Sequence, residues 1–74
     1  MAYSQQKMLK AIYNDVQTYN IHSINKLTIS EHDGLVDIYT GSHLQSKNLT
    51  IPQASFIVMG MLIEQMQNMK IKYS

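Results

Sequence analysis

The sequence predicts an α+β fold: one domain over residues 1–74, with a two-stranded antiparallel hairpin packed on two helices in the order αββα. Three observations predict it. An apolar stripe of helical period lies near the N-terminus, residues alternate on both sides of the turn formers Asp33-Gly34, and a helix-opening signature at Thr50–Gln53 precedes a long apolar segment.

From Ser4 to about Tyr19, Leu9, Ile12, Tyr13 and Val16 fall at helical spacing and form one apolar stripe, widened by Met8 and Tyr19. Ser4 is the expected N-cap, and Lys7, Lys10, Asn14 and Gln17 fall on the wet face. Asn20-Ile21-His22-Ser23 breaks the period. Leu27 and Ile29 then alternate with polar neighbours, and Leu35 to Thr40 does the same beyond a turn at Glu31-His32-Asp33-Gly34. With that four-residue loop, Ile29 would face Val36 and Leu27 would face Ile38, one continuous apolar face. Gly41-Ser42 ends the second strand, and the polar stretch His43–Asn48 is either a loop or a short irregular third strand.

Thr50-Ile51-Pro52-Gln53 matches a capping box, with proline in the first turn, where its missing N–H is no loss. The helix it opens is expected to run to about Lys70, with Lys70 and Lys72 at the negative end of its dipole. Ala54, Val58, Leu62, Met66 and Met69 form the stripe expected to lie against the hairpin and first helix. A second set, Phe56, Met59 and Ile63, leaves residues 54–63 apolar in almost every direction. A helix sandwiched centrally in the domain is one arrangement that fits. So few other elements can hardly surround it, so a second copy or another protein is expected to close one face. Val58, Gly60, Met61 and Leu62 are the expected self-association residues of a homodimer. Gln53, Phe56, Ile57, Met59 and Ile63 are the expected partner-binding ones. A mid-helix glycine such as Gly60 costs about 1 kcal/mol relative to alanine, which close approach of another backbone would explain.

Composition narrows the function. A chain of 74 residues buries only about 60–65% of the surface its unfolded form exposes. It has no cysteine for disulfides or structural zinc, so packing or a partner must stabilise it. Charged residues make up 15%, a low share that suggests surface meant to be covered. The first residues are polar, and the most apolar run is about half of a membrane span, so the cytoplasm is the expected compartment and no membrane partner is expected.

All six basic residues are lysines, and the absence of arginine counts against dedicated nucleic-acid binding. The competing reading is a small DNA-associated transcriptional regulator with Lys7, Lys10 and Lys26 in a stripe beside Tyr3 or Tyr13. His22, His32 and His43 are too dispersed to suggest a metal site, and no glycine-rich phosphate loop or nucleophile–base pair is evident, so neither catalysis nor a cofactor is expected. Glu31, Asp33 and Asp37 read as solvated hairpin residues, or as a small acidic patch that meets a basic partner.

Gln53-Ala54-Ser55-Phe56-Ile57 is similar to the pentapeptide that binds the bacterial sliding clamp, glutamine-leucine-serine/aspartate-leucine-phenylalanine. Gln53 and Ser55 match, Phe56-Ile57 is an apolar pair in reversed size order, and Ala54 departs from leucine. The peptide usually binds extended, whereas this segment opens a helix, and helix capping accounts for Gln53 equally well. In this fragment, its size and its class, the chain resembles the short sliding-clamp inhibitors of staphylococcal phages. The resemblance implies a protein that blocks the clamp by occupying its peptide pocket or DNA channel, with Glu31, Asp33 and Asp37 as contacts in a basic channel.

Overall fold

In a computed structural model, which describes the backbone over residues 2–73 and side chains over residues 5–69, the first helix, α1, spans Ala2–Ile21. It buries Ile12 and Val16, with Met8, Leu9 and Tyr19 packed beside them. Tyr13, expected in the same stripe, stays 44% exposed at its edge. The helix already includes Ser4, which therefore lies past the N-cap position. The side chains of Ser4, Lys70 and Lys72 lie outside the described residues.

The sheet corrects the two-stranded expectation. Strands β1 (Leu27–His32), β2 (Leu35–Thr40) and β3 (His43–Leu49) form an antiparallel meander in the order β1-β2-β3. His32 pairs with Leu35, so the first loop is only Asp33-Gly34. Both residues take positive φ, 51° and 74°, as a type I′ turn requires. The register accordingly pairs Ile29 with Ile38 and Glu31 with Val36 rather than Ile29 with Val36. The difference is two residues, and a two-residue slip preserves side-chain parity, so the apolar face survives. Gly41, at φ 61°, opens the second two-residue turn between Thr40 and His43, as in a type II′ hairpin.

Strand β3 has no alternating apolar face to mark it in the sequence. It follows β2 through two register irregularities, with Asn48 at φ 56°. The Asn48 N–H donates to Asp37 Oδ1 at 2.8 Å, so a side chain supplies the acceptor where the ladder is interrupted.

Between α1 and β1, the Asn20 side chain acts like a strand neighbour. Its amide donates to Leu27 O at 2.9 Å and its oxygen accepts from Leu27 N at 2.7 Å. Lys26 Nζ donates to Asn20 O and Ser23 O, both at 2.7 Å, and so satisfies one carbonyl at the end of α1 and one in the loop that follows.

The second helix, α2, spans Ile51–Tyr73. Its capping box is formed reciprocally: Gln53 N–H donates to Thr50 Oγ1 at 3.3 Å and Thr50 N–H to Gln53 Oε1 at 3.0 Å. Both helices pack together on the face of the sheet that carries Leu27, Val36 and Ile38. Ile12, Val16, Ile51, Ala54 and Val58 complete this core.

The phase of α2 departs from expectation beyond Val58. Residues four apart rotate by about 40° per step, so a stripe through 54, 58, 62 and 66 winds off the core. Ile51, Ile57 and Met61 pack there instead, while Leu62 and Met69 are half-buried and Met66 is 54% exposed. Val58, expected at a self-association surface, is fully buried, and Met61 packs against the core. Val58 is thereby unavailable to a second copy, whereas Met61 keeps part of its surface open at the groove beside the end of α1.

Candidate functional site

Ile51, Ala54, Val58 and Met61 orient α2 by packing against the sheet and α1. That packing fixes what the helix presents on its far side. At 3.6 residues per turn, Phe56, Met59, Ile63 and Met66 share one face, opposite the core. Phe56 is 81% exposed and the other three are each about half exposed. The separations of three, four and three residues are those of successive a and d positions in a helix–helix seam. Ser55, Gly60, Leu62 and Gln67 border the stripe, so among the described residues its flanks are uncharged.

Of the sequence-derived partner residues, Phe56, Met59 and Ile63 lie on this stripe. Met66, expected against the hairpin and first helix, belongs with them. The signal that could have found it was the spacing from Phe56, which repeats the heptad interval where the i+4 series does not.

Gln53, Phe56 and Ile57 also line a shallow apolar groove of about 400 Å³ with Leu49 and Pro52, beside the end of β3. The segment resembling a clamp-binding peptide therefore lies in the first turns of a helix, with Ala54 fully buried and the Gln53 oxygen engaged by the cap. Extended docking would unwind that turn.

Gly60 is exposed, and a Cβ added to it would meet nothing within 4 Å. The chain's own packing gives no reason for a glycine there, although the position costs about 1 kcal/mol of helix stability relative to alanine. Leu62, the last of the expected self-association residues, lies half-buried at the stripe's flank.

The hairpin carboxylates do not gather into one patch. Glu31 pairs with Val36 and shares the parity of the core face, whereas Asp37 projects from the opposite face and Asp33 sits in the turn. Asp37 Oδ1 is 3.0 Å from His32 Nε2 and also accepts from Asn48 N–H. Contact with the imidazole, reinforced by the Asn48 N–H, holds the Asp37 carboxyl below its ordinary value. The same contact raises His32, against a smaller opposing effect of burial. The lysine stripe of the DNA-binding reading is also altered, because Lys26 closes the end of α1.

A larger open groove of about 520 Å³ lies where the end of α1 meets α2, with Tyr19, Ile24, Asn25, Met61, Glu64 and Asn68 in its lining. Among the described residues no group of three or more His, Cys, Asp or Glu side chains could hold a metal ion. No helix among them is long and apolar enough to cross a membrane. No family model matches this chain, and no curated protein or solved structure matches it either.

Proposed function

We propose that this chain is a non-catalytic protein-binding protein that inhibits or modulates its target by covering part of the target's surface. Its docking element is the outward face of α2. One observation carries the reading: Phe56, Met59, Ile63 and Met66 form an exposed apolar stripe opposite the core. A patch of a few hundred Å² with uncharged flanks is of the size that marks interaction sites on small proteins. Phe56 is the expected anchor, because aromatic side chains dominate binding energy where they fill a partner's pocket.

The bacterial DNA sliding clamp is the specific target to test, on the strength of the Gln53–Ile57 fragment. Docking through the helical stripe uses only Phe56 of that fragment and leaves the capping box and Ala54 undisturbed, so the fragment nominates the clamp for testing without fixing how it is bound. The experiment is titration of a purified bacterial sliding clamp with the wild-type chain, Phe56→Ala, and a Glu31→Ala/Asp33→Ala double variant. A loss of about tenfold or more with Phe56→Ala supports the proposal. Absence of binding removes the clamp as target, and binding that is indifferent to Phe56 removes the stripe as docking element.

A further inference from the structure

We infer that the outward face of α2 is built to pair with the same face of a second copy, antiparallel, about a two-fold axis level with Met61. This inference rests on the reading of that face as a docking surface and names a second copy as its occupant, which a target binding through the same stripe must displace. The stripe residues lie five and two positions before residue 61, then two and five positions after it. A two-fold at that level sets Phe56 against Met66 of the other copy and Met59 against Ile63, so the surface is complementary to itself. The Phe56–Met66 pairing joins a thioether to an aromatic ring, a favourable contact.

Three further features fit this occupant. Gly60 lies one position from the centre, where its bare backbone meets its own counterpart as the helices approach, a role its own fold does not require. Among the described residues, the stripe and the positions that flank it carry no charge, so these parts of identical copies meet without like-charge repulsion. From their exposures, the four side chains offer on the order of 450 Å² per chain; with flanking Ser55, Leu62 and Gln67, the pair reaches about 1,200 Å², the lower edge of specific interfaces. The two most exposed of the other apolar side chains, Ile21 and Ile24, lie at the end of α1 and in its following loop, where Ile24 lines the groove with Met61 on a different face of α2 from the stripe.

The test uses sedimentation equilibrium from about 1 µM to about 1 mM, spanning the affinities such an area supports. The chain contains no cysteine, so introduced thiols report cleanly. The wild type should dimerise, and Ile63→Glu and Phe56→Ser should each weaken dimerisation at least tenfold while keeping the wild-type circular dichroism. Under mild oxidation, a mixture of Met59→Cys chains with Ile63→Cys chains should give mainly the mixed disulfide. Monomeric wild type, dimerisation indifferent to both variants, or crosslinking mainly between identical variants overturns the inference. If the wild type is monomeric while Phe56→Ser still abolishes binding to the purified sliding clamp, only the inference fails. If stripe variants alter neither self-association nor clamp binding, the docking reading fails with it.

Discussion

His32 Nε2 lies 3.0 Å from Asp37 Oδ1, a diagonal pair across the first hairpin whose carboxylate also holds the Asn48 N–H at the irregular part of β3. The contact ties β1, β2 and β3 together on the sheet face that no helix covers. Its strength depends on two titrations of opposite sign. Asp37 is lowered from 3.8, so its stabilisation is present above that value and is lost as pH falls through the folded value. His32 is raised from 6.5, so its stabilisation is present below 6.5 and is lost as pH rises through its folded value. Urea unfolding should therefore show the pair's full contribution between about pH 4 and 6.5. Asp37→Asn, which keeps an acceptor for Asn48, should flatten the profile across that window. An unchanged profile would remove the pair from the account of stability.

Asn20 makes a second non-local connection, because its side chain pairs with both backbone groups of Leu27, itself 1% exposed. Asn20→Ala leaves a donor and an acceptor unpaired at the start of β1. The expected loss is about 2 kcal/mol in the free energy of unfolding. Hydrogen exchange should show the Leu27 amide losing protection before those of β2. A loss below about 0.5 kcal/mol would mean that water replaces the amide without penalty.

The reciprocal cap of α2 predicts a coupled pair. Thr50→Ala should destabilise by about 1 kcal/mol, and Gln53→Ala by less, since helix capping by threonine is the stronger half. The double variant should lose less than the sum, because either change alone breaks the reciprocity. Strict additivity in a double-mutant cycle would show the two bonds to be independent.

What was legible in the sequence follows the range of the interactions involved. Thr50–Gln53 and Asp33-Gly34 act over a few residues, so cap and turn chemistry could be read directly, as could the Ile12 and Val16 face of α1. The expected register differs by two because a four-residue loop leaves Glu31 and His32 out of the strands, whereas positive φ at Asp33 and Gly34 completes the turn in two residues. Strand β3 escaped a firm reading because its pairing relies on Asp37 capping Asn48, a contact between residues eleven apart, and not on a local pattern. For the site, Phe56, Met59 and Ile63 were legible as surplus apolar surface. Their separation from Val58 and Met61 depended on helix phase, which only the packing of Ile51 and Ala54 fixes.

That phase makes Gly60 the position where folding and docking can be separated. Val58→Ala removes two methyl groups from a fully buried site and should cost about 2 kcal/mol, since the core has few other side chains to close the gap. Gly60→Ala is expected to act in the opposite direction. No atom of the chain obstructs the added Cβ, and alanine lowers the free energy of a helix interior by about 1 kcal/mol relative to glycine. At concentrations low enough to keep copies apart, its thermal midpoint should rise by about 5 °C, the response expected for a domain of this size. At high concentration the same methyl group intrudes where two backbones meet, so Gly60→Ala should weaken self-association while strengthening the fold. A variant that stabilises the chain equally at every concentration would show that no second backbone comes close to Gly60.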